Sequence, residues 1–295
     1  MRFMKRTSRF TSGLFVLVVA LSACGPKSAQ STSDIVVTNS VLASIVQAIV
    51  GDSARVESVI PDGKDPHEFQ PSAGDIAKIA NAKVIVANGF GYEPTLVDAI
   101  ASARADHVTV FDVEREIPGL AGNDPHWFTD PLMAAAVAAK LVPVLELSFG
   151  VSLDESFATA LSDFQAAVDE GKKTIDAVAP ATSAGSPCAF GSEHVFLGPF
   201  SARFGCPSSA VLHTGSLVPD AEPSAAMIED FVAAVRGHGL RVLLADASEQ
   251  SKVLAQVARQ TGAKVVAVNV HAMGSATDYR TYVTNIVNSL VAGLA

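Results

Sequence analysis

Cysteine is scarce in this chain of 295 residues, which contains only three. Cys24 follows a leader-like segment, so Cys188 and Cys206 remain as a single pair. In an exported protein such a pair favours a disulfide, whereas the alternative is two buried thiols. We expect the bridge, which would flank residues 193–194.

Basic residues are few beyond the N-terminus. Removing residues 1–23 takes away four positive charges and no negative ones, which changes the net charge from −9 to −13. A net-acidic body without a basic cluster argues against nucleic acid as a partner. The charge fits long-range attraction of cations, although solubility alone would also explain it.

The N-terminal apolar run, residues 14–21, is too short for a stable membrane span, which needs about 20 residues. A basic segment before it and small residues after it are typical of a secretory signal. Cys24 resembles the lipidated cysteine of a bacterial lipobox, and residues 25–33 read as a flexible tether. The sequence predicts a lipoprotein signal at 1–23 and a tether at 24–33 from lipidated Cys24; an ordinary secretory signal is the alternative.

Strand and helix patterns alternate along the rest of the chain, which predicts an α/β fold with mostly parallel sheets. Ser40 is placed to cap a helix over residues 41–50, and Ser72 precedes another helical pattern. Residues 152–178 keep helical spacing for roughly 40 Å, interrupted by Gly171. We expect two similar lobes, 34–150 and 181–295, joined by a rigid linking helix at 151–180; a long helix packed within one domain is the alternative.

Histidines occur in two matching Asp-Pro-His segments, at His67 and His126, each in a loop and near aromatic residues. Imidazole binds first-row divalent metals, and the neighbouring Asp65 and Asp124 could orient the rings. Among the other histidines, the sequence favours a surface position for His107 and His238. It leaves His213 and His271 undecided.

Several motifs together resemble one family, the solute-binding lipoproteins of ABC transporters for zinc and manganese. Residues 65–72 (DPHEFQPS) and 124–127 (DPHW) resemble its first two ligand motifs. Residues 194–205 keep the spacing of the third, although Pro199 replaces a usual tyrosine, and residues 221–224 (AEPS) resemble the start of a helix in its second lobe.

The resemblance implies a metal site in the cleft between two lobes. It assigns the ligands to His67, His126, His194 and Asp278, with Glu193 as a competing carboxylate beside His194. It also implies an extracytoplasmic receptor, anchored to the cell membrane by lipid, that delivers its ion to an ABC permease and its ATPase subunit. We expect a monomer, and the sequence leaves a metallochaperone open as a further partner.

Three imidazoles and one carboxylate favour Zn²⁺ over Mn²⁺, because manganese prefers oxygen ligands. Mn²⁺ remains the alternative cargo, since the same ligand set serves family members for either metal. A secreted zinc hydrolase is a rival interpretation, but a catalytic zinc keeps an open position, and the chain has neither a His-Glu-x-x-His nor a Gly-x-Ser-x-Gly motif. A surface adhesin or structural lipoprotein, in which the metal only stabilises the fold, is the third interpretation. We therefore expect no enzyme.

Overall fold

The computed structural model describes residues 34–178, 186, 188–212, 223–248 and 251–295. The expected signal, the tether, Cys24, His213 and residues 221–222 lie outside this described part.

The first of two parallel four-stranded sheets has the strand order β2-β1-β3-β4. We call this sheet and its helices the first lobe. Its elements are β1 (Ile35–Val37), α1 (Ser40–Val50), β2 (Val56–Ser58), α2 (Ala73–Ala80), β3 (Val84–Ala87), α3 (Val97–Ala105), β4 (Thr109–Asp112), α4 (Val113–Glu116) and α5 (Pro131–Phe149).

The second sheet repeats this arrangement with the order β6-β5-β7-β8, and we call it and its helices the second lobe. Between the two lobes the chain forms the long helix α6 (Asp154–Asp176). The second lobe contains β5 (Phe190–Ser192), α7 (Gly198–Phe204), β6 (Ser208–Val211), α8 (Ala225–Gly237), β7 (Val242–Asp246), α9 (Lys252–Thr261), β8 (Lys264–Val268) and α10 (Tyr279–Leu294). The predicted α/β class with mostly parallel sheets is confirmed.

Local capping explains where several helices begin. Ser72 forms a capping box with Asp75 at the start of α2, as the sequence predicts. Ser40, by contrast, is the first residue of α1, and the preceding Asn39 accepts the hydrogen bond from Leu42 N. The expected cap was therefore wrong by one residue, because an asparagine beside the serine serves the same purpose equally well.

A continuous apolar core extends across both lobes. It includes Val84 and Val86 of the first sheet and Val242 and Leu244 of the second, together with residues of α1, α5, α6 and α10. Smaller clusters cover the opposite face of each sheet. Because close-packed interiors resist deformation, this shared core argues against a wide swing of one lobe relative to the other.

Helix α6 packs on α1 and α5 of the first lobe and on α7 and α10 of the second. Gly171, the break in its helical pattern, is explained by a close approach: an added Cβ would lie 2.5 Å from Cε1 of Phe204. Glycine at this point lets α7 press against the long helix.

Cys188 and Cys206 form a disulfide that closes the segment containing β5 and His194.

Helix α5 is long and apolar enough to cross a membrane by length and composition. Its buried residues, among them Ala134, Val137 and Leu141, nevertheless belong to the shared core, so we interpret it as a core helix.

Candidate metal centre

The candidate ligands lie in loops that leave the carboxyl ends of strands. His67 follows β2, His194 follows β5 and His271 follows β8, while His126 lies between β4 and α5. In parallel α/β sheets the carboxyl edge is where loops converge on a ligand. The fold therefore explains how residues far apart in the chain meet.

Three of these histidines form one cluster. One ring nitrogen from each of His67, His126 and His271 lies within 4.8 Å of the others. His126 and His271 are each only 3% exposed, whereas His67 is partly exposed. Two members of the cluster, His126 and His271, are therefore buried, and His67 lies nearest to solvent.

His126 is oriented by Asp124, two residues before it. The Asp124 carboxylate accepts a hydrogen bond from the backbone N–H of His126 and lies 2.9 Å from its Nδ1. An added Cβ at Gly198 of the second lobe would lie 2.4 Å from the same carboxylate, so α7 packs tightly against it. With Nδ1 facing a carboxylate, Nε2 of His126 is directed to the cluster.

His271 has a similar arrangement on the second lobe. Its Nδ1 lies 3.5 Å from Oδ2 of Asp246, at the end of β7. Backbone N–H groups of Ser248 and Val270 donate to Asp246 and fix this carboxylate. Burial, followed by the positive charges that His126, His67 and His194 can carry, holds the pKa of His271 well below its usual range. The ring is therefore neutral at neutral pH, as a metal ligand must be.

His67 completes the cluster from the solvent side. The side chain of Asp65 accepts a hydrogen bond from the backbone N–H of His67, and the His67 ring hydrogen-bonds to the backbone of Gly91. Burial, then the nearby His126, lowers the pKa of His67. The fully buried ring of Tyr92 lies 5.5 Å from that of His67 and within 6.0 Å of the other two, which limits access of water.

His194 is not one of the three clustered histidines. Its ring packs edge-on to Phe196 at 5.0 Å between centroids. The positive charge that His194 can carry is the last of the causes that lower the pKa of His271. Glu193 is likewise outside the cluster.

The structure does not bring Asp278 to the histidines. Its side chain is the N-cap of α10, where it accepts hydrogen bonds from the backbone and hydroxyl of Thr281 and from the hydroxyl of Thr277. Burial alone would raise the pKa of Asp278, but these hydrogen bonds and the nearby Arg280 outweigh it and lower the pKa. An aspartate at a helix start has a structural role that explains its position without a metal.

Sequence reasoning missed His271, which it left undecided, and the supporting Asp246 and Tyr92. His271 comes three residues after β8, in a loop that leaves the carboxyl end of a parallel strand, as the loops of His67 and His194 also do. That placement was the available signal, because the carboxyl ends of parallel strands share one edge.

The spacing of one pair of nitrogens already suits a tetrahedral ion. Zinc binds imidazole at about 2.0–2.1 Å, so two nitrogens of one tetrahedral site lie roughly 3.3 Å apart. Nε2 of His126 and Nε2 of His271 are 3.1 Å apart, close to this value. The other separations are at most 4.8 Å, so an inward shift of no more than about 1.5 Å brings them to the tetrahedral spacing.

Local sequence similarity links this chain to metal-transport lipoproteins. It is 44% identical over 78 residues to the iron ABC transporter substrate-binding lipoprotein MtsA of Streptococcus pyogenes, a stretch that covers 26% of this chain and 25% of that protein. It is 39% identical over 84 residues to the manganese ABC transporter substrate-binding lipoprotein PsaA of Streptococcus anginosus, or 27% of each. The chain thus matches about a quarter of the length of these relatives.

Solved structures share the fold over nearly the whole described chain. A mutant of the Mn-bound periplasmic metal binding protein from Candidatus Liberibacter asiaticus superposes with a TM-score of 0.74 at 19% identity, covering 88% of this chain and 99% of that one. The substrate-binding protein FpvC from Pseudomonas aeruginosa, in complex with Mn²⁺, gives 0.72 at 19% identity, covering 89% and 98%. A mutant of the laminin-binding adhesin Lmb from Streptococcus agalactiae also gives 0.72, at 21% identity, covering 89% and 100%.

The family comparison extends over most of the sequence. The model of the family described as ZnuA, zinc-uptake complex component A, periplasmic, matches residues 35–293. This range contains both sheets, the long helix and all three clustered histidines. The chain therefore belongs to the ZnuA family of periplasmic zinc-uptake components.

Proposed function

We propose that this protein is the extracytoplasmic substrate-binding component of a metal ABC importer and that its cargo is Zn²⁺. The observation that carries the proposal is the convergence of His67, His126 and His271 at the carboxyl edges of two sheets. A receptor for a small ion needs such ligands between lobes, where a partner can sense whether the ion is bound.

The ligand chemistry supports zinc over manganese. All three clustered ligands offer nitrogen, and the two carboxylates beside them, Asp124 and Asp246, face the far side of His126 and His271. Manganese prefers oxygen donors and binds a given site more weakly than zinc. We propose His194 as the fourth ligand, since it follows β5 at the carboxyl edge of the second sheet and belongs to the third ligand motif of the family resemblance; it would complete a four-nitrogen shell.

The remaining parts of the proposal follow from family membership and from the N-terminal sequence. The receptor is held at the outer face of the membrane by lipid on Cys24 and passes its ion to a permease with its ATPase subunit, and it acts as a monomer. We propose a binding protein without catalysis, because the relatives are named as substrate-binding lipoproteins of ABC transporters.

Zinc capture is tested by elemental analysis of the protein purified without added metal, combined with a titration in which Zn²⁺ and Mn²⁺ compete. We expect about one zinc per chain and displacement of bound Mn²⁺ by zinc. His126→Ala removes one of the clustered ligands and should lose binding of both ions. Preferential retention of manganese would contradict the zinc assignment, and no metal binding at all would contradict the receptor function.

A further inference from the structure

One carboxylate joins the loops of two candidate ligands across the lobes. Oδ1 of Asp62 accepts a hydrogen bond of 2.7 Å from the backbone N–H of Met273, and Oδ2 accepts one of 3.2 Å from that of Gly274. Asp62 lies five residues before His67 in the first lobe, and the two amides closely follow His271 in the second. The bond pair therefore connects the loop that carries His67 to the loop that carries His271, through an exposed carboxylate.

We propose that Asp62 is a positioning residue that latches the His67 loop to the His271 loop and slows release of the bound ion. This inference rests on the proposed function, because it concerns the same cargo. It adds a specific device: the carboxylate binds no metal but controls how long the most exposed ligand stays in place.

The loop that receives Asp62 is built to bind a carboxylate. Two successive backbone N–H groups point to its oxygens, an arrangement that forms an anion-binding concavity. Gly274 has a φ of +56°, and an added Cβ would lie 2.5 Å from Nδ2 of Asn269. Glycine is therefore required for the backbone shape that presents both amides.

Two other contacts between the lobes are more buried than the Asp62 bonds, and both involve residues close in sequence to His126. Arg203 forms an ion pair of 2.7 Å with the buried Asp130, and the hydroxyl of Tyr279 donates to the carbonyl of Phe128 at 2.6 Å. Both bonds attach next to His126. The His126 side is thus held by buried polar contacts, whereas Asp62 is exposed and its bonds can open and close.

His67 is also the ligand that has most to gain from such a latch. It is partly exposed, whereas His126 and His271 are buried and already 3.1 Å apart at Nε2. A complete shell requires shorter separations than the 4.8 Å limit of the cluster. Holding the two loops together keeps the His67 ring over the other two and reduces the freedom lost on binding.

The experiment measures zinc dissociation by stopped flow, with the purified protein loaded with zinc chloride and mixed with excess chelator. Asp62→Ala should release zinc about tenfold faster than the wild type, with association changed less than about threefold. Asp62→Asn, which keeps the side-chain volume and one acceptor oxygen, should give a smaller increase. Asp52→Asn, another exposed aspartate, is the matched control and should behave as the wild type.

Hydrogen exchange of the Met273 and Gly274 amides supplies a second readout, since both should lose protection in Asp62→Ala. If Asp62→Ala also unfolds at a lower temperature without metal, the comparison is made on Asp62→Asn. Normal zinc uptake with dissociation as slow as in Asp52→Asn would overturn the latch alone. A wild-type protein that takes up no zinc would overturn the proposed function and the latch together.

Discussion

Nε2 of His126 lies 3.1 Å from Nε2 of His271, although 145 residues separate them in the chain. Neutral His271 carries one ring proton. Its Nε2 faces Nε2 of His126, and its buried Nδ1 forms no hydrogen bond within the described part of the chain, with Oδ2 of Asp246 at 3.5 Å. Whichever nitrogen holds the proton, the other contact lacks one. A divalent ion between the two Nε2 atoms removes this conflict, because Nδ1 then keeps the proton for Asp246.

This relationship predicts different results for His271 and Asp278. His271→Ala should weaken zinc binding by about 100-fold or more, because it removes a ligand nitrogen from the cluster. Asp278→Ala should leave the affinity within about threefold and instead lower the free energy of unfolding by roughly 1 kcal/mol through loss of the α10 cap. Calorimetric titration and thermal unfolding of both variants check this. The reverse pattern would restore Asp278 as the ligand.

Asp124 should affect affinity through the orientation of His126. Asp124→Asn replaces the acceptor that faces Nδ1, so the His126 ring can adopt the wrong tautomer. We expect zinc affinity to fall about 10- to 100-fold. The control is Asp106→Asn on the surface, which should bind as the wild type. Equal affinities for the two variants would show that Asp124 has no influence on the site.

The contribution of His67 and His271 to the stability of the metal-free protein should decline as the pH falls through the usual histidine range. The folded state lowers the pKa of His67 and His271, so the unfolded chain takes up protons first as the pH drops through about 6.5. The contribution of His271 to the free energy of unfolding, measured as the difference between the wild type and His271→Gln, should thus be larger at pH 7.5 than at pH 5.5. Zinc affinity should fall as the pH is lowered from 7.5 to 5.5. Denaturant titrations at both pH values measure the effect. A flatter profile is expected for His271→Gln.

Glu93 has the opposite pH dependence. Burial raises its pKa to about 7, against the hydrogen bonds it accepts from the backbone of Gly89, the side chain of Thr38 and the backbone of Asn88. The folded state therefore binds more protons between pH 4.5 and 7, and this group's contribution to stability declines as the pH rises. Relative to the wild type, Glu93→Gln should gain roughly 1–3 kcal/mol between pH 5 and pH 8. A constant difference across that range would contradict the assignment.

The sequence was sufficient to predict the α/β class and many of the elements. The almost pure apolar run at β3 indicates a strand buried on both faces, and the helical spacing of residues 152–178 corresponds to α6. These features depend on local patterns, which a single sequence contains. Even the interruption at Gly171 is visible there, although its cause, the ring of Phe204, requires the packed structure.

The candidate site was less predictable, because a side chain's role depends on what the fold places beside it. His67 and His126 were identified from repeated Asp-Pro-His segments, and the structure brings them together. Asp278 and His271 lie seven residues apart in one loop, so either could face the cleft by sequence alone. Only the structure shows that the aspartate caps α10 while the histidine meets His126.

The most direct test of the account is anomalous diffraction from crystals grown with zinc, recorded on both sides of the zinc absorption edge. We expect a single strong peak between the lobes, about 2.0–2.1 Å from ring nitrogens of His67, His126 and His271. A peak bound at Asp278 instead, or no peak among the three histidines, would contradict the central claim.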